Sequence, residues 1–524
     1  MFDVIIVGSG AAGAFCAYSL RGLKTLVLDV GHIPPKESLA GNLYDLENKE
    51  TLFNKIIGAQ FESLNDIEFR KLTPKVKAPL MRYVIQEPKG SPMILSKEFS
   101  PTVSYAEGGL ANVWGAQVYR FNHDDLKEYP ITSEDLNPFY DELTKHVGIS
   151  GADDDLARFL GDASGMLPAL KLSKIGAEIL KRYQRNARRF QNNGVYLGHP
   201  RLAVLSTDYG DRERCGYDNL EFLQSRNSAI YSPAFTLRAM VEKKEVEYLS
   251  GRLVEKFEEQ EDGVTVLVKK INDGSMEQFR CKKLILCLGA LNTARLVLFS
   301  HNDFTTELPV VENPFSLIPL VSLTRIGMPI DKESYSSQLC FVYSGKLCNE
   351  LVVGMIYGME GIPRSDMLFD FPFSVSGCLA AAKYILPAMA VMQVYRSSDP
   401  QKSNYLKINE NGSIVIKFNR SEDHSLEQHL LKVFRRIGYL SFSSLIQQSE
   451  PGLSNHYAGP LPMRAKPKQP YETDRSGLLY GSKNVYIGDS ATFPRLPAKN
   501  LTFTIMANAI RVARNIRSMF QQSL

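Results

Sequence analysis

The chain has 524 residues, of which 44% are hydrophobic and 23% are charged, as in a globular protein of about two to four domains. Its formal net charge of +4 is small for this length, and no long basic stripe is interleaved with aromatic residues, so we expect no nucleic-acid partner. No uncharged apolar run reaches the roughly 18 residues of a membrane span, so contact with a membrane is the less favoured alternative.

Cysteine usage and the start of the chain bear on the compartment. Seven cysteines are scattered without a CxxC pair, which predicts reduced thiols and a cytoplasmic protein. The first predicted strand begins two residues after Met1, so no signal peptide or twin-arginine leader is expected. The densest basic run, residues 181–189, is interpreted as the solvated face of a helix rather than as a site for an anionic partner.

The first thirty residues predict a strand, a glycine turn, a helix and a second strand. Residues 3–7 (DVIIV) and 25–28 are short, apolar and suited to buried strands. Between them stands GSGAAG at 8–13, followed by a predicted helix at 14–20, and the second strand ends at Asp29. The combination predicts a dinucleotide site that could serve NAD or FAD.

Each conspicuous residue of this turn has a physical role in such a site. Gly8 permits the tight turn, Gly10 lets the backbone approach a pyrophosphate, and Gly13 lets the helix pack on the strand. The phosphates would lie at the helix N-terminus, where unpaired N–H groups and the helix dipole favour negative charge. Asp29 would accept hydrogen bonds from a ribose diol.

Two less regular segments follow. Residues 33–98 are polar and predict a partly helical excursion that could cover the cofactor. Residues 104–117 are punctuated by glycines and contain the only tryptophan, Trp114, so the backbone could approach a flat ligand; the alternative is a loop around a packed tryptophan. A helix with Ser133 as its N-cap and an end near Gly148 comes next.

Strand patterns return in the middle of the chain and are followed by a helix at 292–299. A strand, a glycine and a helix recurring after roughly 250 residues indicate that the nucleotide domain is discontinuous. The predicted strands are 247–250, 253–258, 264–269 and 279–288.

A second domain, a sheet backed by helices, is predicted from the next segments. Residues 371–395 form the longest apolar stretch, which Lys383 and Pro387 interrupt, and predict a core helix followed by a strand. Residues 405–418 predict a hairpin that turns at Asn411-Gly412, and 425–442 predict an amphipathic helix.

The C-terminal segment again combines strand, acid and helix. Residues 485–487 predict a short strand ending at Gly488-Asp489, and 500–514 predict a helix. Upstream, His456 lies in a segment flanked by glycine and proline. Taken singly, His456 could be a packed structural histidine and Asn500 a helix cap.

Together these motifs resemble the glucose–methanol–choline (GMC) flavoprotein oxidoreductases, in particular the bacterial branch that oxidises sugars and related alcohols. The resemblance covers the flavin domain, about half of the chain, and is weakest between 300 and 450. The matching segments, in chain order, are GSGAAG with Asp29, GGLANVWG, DLNPFYDELTKHVGISG, AIYSP, LILCLGALNTARLVL, HYAG and NVYIGDSATFP with NLTFTIMA.

The resemblance implies an α/β fold with a discontinuous Rossmann-like FAD domain and an α+β substrate domain. It implies hydride transfer from an alcohol to flavin N5, with His456 as general base and Asn500, 44 residues later, as hydrogen-bond donor to the alkoxide. The implied FAD domain comprises 1–32, 101–125, 226–300 and 455–524, with lid-like excursions at 33–100 and 126–225 and a substrate domain at 301–454.

The resemblance also implies a larger set of cofactor contacts. The segment around Gly108 would lie near the isoalloxazine ring, Val254 near the adenine, and Asp489 near the diphosphate and ribityl chain. The implied cofactor-binding residues are Gly8, Gly10, Ala11, Ala12, Gly13, Asp29, Gly108, Gly109, Asn112, Gly115, Ala116, Val254, Cys287, Gly289, Asn292, Gly488, Asp489, Asn500, Leu501 and Thr502.

The chain departs from the family pattern at several positions. Pro460 stands where the family often has threonine, and Leu501 stands in an otherwise NPT-like triplet. The glycine-rich segment holds no histidine, so non-covalent FAD is expected. With only Cys215 before the AIYSP segment, neither an iron–sulfur cluster nor another metal site is expected.

The resemblance therefore implies an FAD-dependent oxidase or dehydrogenase acting on a small-molecule CH–OH group, and we expect this group to belong to a sugar, glycoside or sugar-like ring. Oxygen or another electron acceptor would reoxidise the flavin. Two alternatives stay open: a lyase or isomerase that keeps FAD without net redox, and a catalytically inactive flavin-binding module in a complex.

Overall fold

The computed structural model of the protein describes residues 1–35, 54–56, 58–59, 74–220, 228–360, 374, 377, 381, 383–398, 404–420 and 423–522. The strands are β1 (Phe2–Val7), β2 (Thr25–Leu28), β3 (Ile94–Leu95), β4 (Ser150–Gly151), β5 (Leu167–Pro168), β6 (Val195–Gly198), β7 (Glu247–Leu249), β8 (Arg252–Gln260), β9 (Gly263–Lys270), β10 (Met276–Leu286), β11 (Leu308–Pro309), β12 (Val311–Glu312), β13 (Phe315–Ser322), β14 (Ser337–Tyr343), β15 (Val352–Gly358), β16 (Met389–Tyr395), β17 (Tyr405–Ile408), β18 (Ile414–Lys417), β19 (Tyr439–Leu440), β20 (Gln447–Gln448), β21 (Tyr457–Ala458) and β22 (Val485–Ile487). The α-helices are α1 (Ala11–Ser19), α2 (Pro74–Lys77), α3 (Ser133–Val147), α4 (Ala157–Leu160), α5 (Lys174–Arg185), α6 (Ala187–Gln191), α7 (Pro233–Glu242), α8 (Ala290–Ser300), α9 (Ser425–Arg435) and α10 (Thr502–Gln522).

The first sheet is the nucleotide sheet, with parallel strands in the order β7-β2-β1-β10-β22. Its strands are apolar on both sides, because α1, α3, α7 and α10 cover one face and α8 covers the other. The N-terminal half of β10 continues into an antiparallel meander with β9 and β8. The polypeptide therefore returns to this sheet from three distant parts of the chain, as the sequence indicates.

The second sheet is antiparallel, in the order β19-β13-β16-β15-β14-β6, with β20 also paired to β13. Alternation along β13 and β16 gives it two unlike faces. Ile318 and Leu320 on β13 point to a core that includes side chains of α5 and α9. The intervening residues Leu317 and Pro319 line a large cavity. The predicted mixed α/β class, with a sheet backed by helices, is confirmed.

The hairpin of β17 and β18 packs differently from the sequence expectation, which groups it with the second sheet. It forms a separate sheet with β11 and β3. Leu406 and Ile416 lie in the same apolar cluster as Leu284 of β10 and Leu296 of α8. The hairpin therefore extends the core of the nucleotide sheet, because its apolar side meets α8.

Several element boundaries differ from those predicted. Helix α1 begins at Ala11 rather than at 14, and the N-cap of α3 is Thr132, not Ser133, because Thr132 and Asp135 form a capping box. Helix α9 ends at Arg435 rather than at 442, since Gly438 adopts a φ of 88° and the chain turns into β19. Helix α10 runs to Gln522, beyond the predicted end.

The apolar stretch at 371–395 is described only in part. Its predicted strand is confirmed as β16, and most of its predicted helix lies outside the described residues. Within the part of the chain that the structure describes, no helix has both the length and the apolar character to cross a membrane.

Candidate active site

One cavity of about 1550 Å³ extends from the glycine turn after β1 to the inner face of the second sheet. Pockets for single drug-sized ligands typically measure about 300–1,000 Å³, so this cavity has room for a dinucleotide and a second, smaller molecule. We name its two parts after the roles that the sequence predicts for them: the nucleotide end lies around Gly10 and Asp29, and the catalytic end lies around His456.

The nucleotide end is made mainly of backbone. Helix α1 starts at the cavity wall, and its N-cap residue is Gly10. Because glycine has no side chain, no cap hydrogen bond occupies the free N–H groups of the first helical turn. A Cβ on Gly13 would lie 1.8 Å from Gly8 O, and one on Gly8 would lie 2.5 Å from Cys287 O. A Cβ on Gly10 would meet nothing closer than Gly109 Cα at 3.9 Å. Gly8 and Gly13 are therefore required by packing, whereas Gly10 keeps open space for a ligand.

Asp29 follows β2 and lies on the cavity wall. Ser9 Oγ donates a hydrogen bond to its carboxylate and accepts one from Gly108 N at 3.1 Å. Burial raises the pKa of Asp29 to about 7, against the lowering effect of the Ser9 hydrogen bond. The arrangement ties the first glycine turn to the glycine-rich segment at 104–117.

The segment at 104–117 approaches the glycine turn at 8–13 closely, through glycine residues of both. Gly108 and Gly109 have φ values of 86° and 64°, and a Cβ on Gly109 would lie 3.2 Å from Gly10 Cα. Asn112 Nδ2 donates to Glu107 O and Gly109 O, each at 2.8 Å. The Asn112 side chain therefore holds this turn from within rather than lining the cavity.

Trp114 fits both interpretations of its segment. It lies on the cavity wall, and its Nε1 donates to Tyr231 O at 2.9 Å, so it is also packed. Lys75, from the excursion at 33–100, donates from Nζ to Trp114 O at 2.7 Å and lines the cavity with Lys77. The sequence did not single out these lysines, because they lie in a polar stretch without a motif.

Asp489 closes the nucleotide end at the C-terminus of β22. Its carboxylate accepts hydrogen bonds from Gly289 N at 2.9 Å, Thr293 Oγ1 at 2.5 Å and Ala491 N at 2.9 Å. Burial raises the pKa of Asp489 to about 6. The carboxylate thus joins β22 to the start of α8, while the residue still borders the cavity.

The catalytic end contains the two residues that the resemblance implied. His456 Nε2 lies 3.5 Å from Asn500 Nδ2, and the His456 ring stacks on Tyr395 with centroids 5.0 Å apart and an interplanar angle of 20°. His456 is only 8% exposed, and burial lowers its pKa to about 3, so the imidazole is neutral at physiological pH. Its Nδ1 is buried and has no hydrogen-bond partner among the described residues.

A buried carboxyl group lies behind His456. Glu312 Oε1 accepts from Gly452 N at 2.8 Å and from Ser454 Oγ at 2.7 Å, and Ser454 Oγ in turn accepts from His456 N at 3.1 Å. Glu312 is on β12, which pairs with β21 directly after His456. Burial raises the pKa of Glu312 to about 7. This carboxyl therefore fixes the loop that carries His456.

A chain of polar side chains continues from Tyr395 across the second sheet. Asn500 and Gln393 lie next to the Tyr395 hydroxyl. Tyr357 donates to Gln393 Oε1 at 3.0 Å and accepts from Gln117 Nε2 at 2.5 Å. The sequence does not predict Tyr357, Gln393 and Tyr395 as site residues. In an alternating strand, a polar residue that faces a cavity has the same pattern as a polar residue that faces solvent.

Most of the predicted site residues border this one cavity. Four lie behind its wall: Gly13, Gly108, Asn112 and Gly488, whose added Cβ would lie 2.7 Å from Cys287 Sγ. The residues on the wall are Gly8, Gly10, Ala11, Ala12, Asp29, Gly109, Gly115, Ala116, Val254, Cys287, Gly289, Asn292, His456, Asp489, Asn500, Leu501 and Thr502.

Comparison with known proteins shows the fold. Neither a scan of protein-family models nor a search of curated proteins gives a match. The crystal structure of pyridoxine 4-oxidase from Mesorbium loti is similar, with a TM-score of 0.61 and 14% sequence identity over 98% of this chain and 99% of that one. The chain thus has the fold of a GMC-type FAD oxidoreductase, as the sequence predicted.

Proposed function

We propose that the protein is an FAD-dependent oxidoreductase that converts the CH–OH group of a small-molecule alcohol to a ketone or an aldehyde. The observation that carries the proposal is the cavity that joins the glycine turn at 8–13 to a buried, neutral histidine and its amide neighbour. Fold similarity to an oxidase supports the same reaction class.

The nucleotide end fits FAD. Gly10 leaves space where a side chain would stand, the N-terminus of α1 is open for a pyrophosphate, and Asp29 is placed for a ribose diol. When bound, FAD would supply the acceptor for a hydride from the carbinol carbon. We propose non-covalent binding, because Leu110, Ala111 and Val113 of the glycine-rich segment offer no nucleophile.

His456 would act as the general base. Because burial keeps the imidazole neutral, an unprotonated nitrogen is available to accept the proton of a substrate hydroxyl. The Asn500 amide nitrogen faces Nε2, which favours the tautomer with the lone pair on Nε2. Stacking on Tyr395 and the Glu312–Ser454 hydrogen bonds would hold the ring in place.

Asn500 would stabilise the oxygen that loses its proton. Its amide lies in the cavity immediately before α10, a long helix without an acidic residue in its first turn. A helix N-terminus favours nearby negative charge, and an amide donor at the same place adds a directed hydrogen bond. Both act on a developing alkoxide, so they lower the barrier rather than only binding the alcohol.

For the substrate, we propose a hydroxyl on a sugar, glycoside or sugar-like ring. The polar side chains Gln117, Tyr357 and Gln393 support this, because they offer donors and acceptors on one wall near His456. Molecular oxygen or another acceptor would complete the cycle. The cytoplasmic location stays a prediction.

The test is an anaerobic titration of the FAD-loaded protein with a panel of sugars, glycosides and simple alcohols, followed by the visible flavin absorption. We expect at least one ring alcohol to bleach the absorption. Bleaching by none of them would contradict the proposal and favour a redox-neutral enzyme or an inactive flavin module. Flavin that remains in the supernatant after acid precipitation would support non-covalent binding.

A further inference from the structure

Exposed apolar side chains cluster at the mouth of the cavity. Most large apolar residues of the described chain are buried, yet Leu323 is 58% exposed, Met328 50% and Phe442 59%. A contiguous exposed apolar patch on a soluble protein marks an interaction site more often than a single exposed residue does. We call the following set the mouth rim: Leu323, Ile326, Met328, Tyr384, Leu440, Phe442 and Leu445.

Backbone contacts make the rim one surface. Leu440 of β19 pairs with Val321, at the end of β13 just before Leu323. Gly327 N donates to Tyr384 O at 2.9 Å, which joins the turn after β13 to the segment before β16. Leu445 N donates to Phe442 O at 3.0 Å within the turn that leads to β20.

The rim is continuous with the wall of the catalytic end. Ile326 and Leu445 belong both to the rim and to the cavity wall. Deeper in the cavity they are followed by Val321, Met389 and Val391, which are also apolar. The apolar surface therefore runs from the outside of the protein into the cavity.

The charge around the rim is mainly positive. The rim segments 320–331, 383–391 and 432–450, together with residues 178–191 that contain the basic run 181–189, hold ten Lys or Arg and three Asp or Glu in 54 residues. The whole chain has a formal net charge of only +4, so the remainder is net negative. Cations are thus concentrated next to the rim.

Arg182 connects the basic run to the rim. Its guanidinium donates to Thr324 Oγ1 at 3.0 Å and to Ile437 O at 2.7 Å, so the end of α5 abuts two rim segments. Glu178 pairs with Arg182 at 2.8 Å and with Arg325 at 3.6 Å and offsets part of this charge. Lys181 and Arg185, on either side of Arg182 in α5, are exposed.

We propose that the mouth rim docks on an anionic phospholipid bilayer. Its apolar side chains would enter the headgroup region, and the cations of the basic run and α9 would contact the lipid phosphates. The mouth of the catalytic end would then open at the bilayer surface. Tyr384 lies in the apolar stretch at 371–395, so the rim favours the membrane contact that the sequence left as the weaker alternative.

The test is co-sedimentation of the FAD-loaded protein with vesicles of phosphatidylcholine alone or mixed equally with phosphatidylglycerol. We expect binding to the mixed vesicles at low salt and its loss near 1 M salt, where the screening length falls to about 3 Å. The double substitution Leu323→Ser with Phe442→Ser should weaken binding about tenfold or more. Arg185→Gln with Arg189→Gln should weaken it about tenfold at low salt.

Matched controls are available away from the rim. Met276→Ser removes an exposed methionine, 57% exposed on β10, and Lys243→Gln removes an exposed cation at the end of α7. Both should bind vesicles as the unaltered protein does. Flavin content and gel filtration should be unchanged in every variant, so the result does not depend on the proposed reaction.

Three results would overturn the proposal. The first is no binding of the unaltered protein to the mixed vesicles at low salt. The second is equal binding by the rim variant Leu323→Ser with Phe442→Ser. The third is a dimer that this rim variant converts to a monomer without vesicle binding by either form, since a second copy would then cover the rim.

Discussion

The nucleotide end and the catalytic end of the cavity are built in different ways. At the nucleotide end, the three glycines of residues 8–13 expose backbone, and a Cβ added to Gly8 or Gly10 would first meet Cys287 O or Gly109 Cα. At the catalytic end, the polar atoms belong to side chains such as His456, Gln393 and Gln117, which come from separate segments. A backbone-built site needs a short local motif, whereas a side-chain-built site needs the whole tertiary structure.

The two ends can also be compared by the pKa of a titratable side chain in each. Burial raises the pKa of Asp29 to about 7 at one end and lowers that of His456 to about 3 at the other. In both cases the charged form is disfavoured. The four predictions below act on one end or the other and are given from the largest expected effect to the smallest.

Gly13→Ala should have the largest effect, because its Cβ would lie 1.8 Å from Gly8 O in the tightest part of the turn. We expect little folded protein and no bound flavin, measured by circular dichroism and visible absorption. Gly10→Ala is the matched comparison, since its Cβ meets nothing within 3.9 Å. It should fold normally but bind FAD about tenfold or more weakly, as overpacking at the ligand costs about 1–3 kcal/mol. Equal flavin affinity in Gly10→Ala and the unaltered protein would contradict the assignment.

Lys499→Met should strongly destabilise the catalytic end. Lys499 is fully buried, pairs with the nearly buried Asp125 and precedes Asn500. Removing one partner of a buried ion pair costs about 3–5 kcal/mol, whereas replacing both with apolar residues is often nearly neutral. We expect this loss in urea unfolding of Lys499→Met and a smaller one in the double variant with Asp125→Leu. A double variant as unstable as the single one would show that the pair itself is not the cause.

Asn500→Ala tests the proposed stabilisation of the alkoxide. Loss of one such donor typically lowers kcat by about 10²–10³-fold. The binding of FAD should change less than kcat, because Asn500 is one of many implied cofactor contacts and the nucleotide end is untouched. KM should also change less than kcat. Steady-state kinetics with the alcohol found in the titration measures both. A rise in KM with an unchanged kcat would place Asn500 in ground-state binding instead.

Glu312→Gln should have the smallest effect, and this effect should be a change in how stability depends on pH. Burial raises the folded-state pKa of Glu312 to about 7, above the ordinary pKa of 4.5, so the folded state keeps its proton after the unfolded state has lost it. Stability therefore falls as pH rises through this window, and Glu312→Gln should remove that decline.

His456→Asn should act on the acidic side of the curve of stability against pH. The folded-state pKa of His456 is about 3, below the ordinary pKa of 6.5, so stability is lost as pH falls. Thermal melts between pH 4 and 8 measure both effects. If the melting temperatures of both variants depend on pH as that of the unaltered protein does, neither group changes its pKa on folding and the prediction is wrong.

The same contrast explains what the sequence could and could not predict. GSGAAG with Asp29 is local, so both strands and the turn were predicted correctly. His456 and Asn500 were found only through a family resemblance, because nothing local relates two residues so far apart. Gln393 was missed because its place in the cavity depends on how β16 packs, and Lys75 because no periodicity marks it. The mouth rim was missed for the same reason, since its segments are distant in the sequence and meet only in the folded chain.

The central claim is that His456 removes the substrate proton at the end of a cavity whose other end holds FAD. The most direct test is the rate of anaerobic flavin bleaching by one reactive alcohol in the unaltered protein and in His456→Ala. We predict equal flavin content and a bleaching rate about 10²–10⁴-fold lower in His456→Ala, the usual contribution of a general base. Equal bleaching rates in the two proteins would contradict the account.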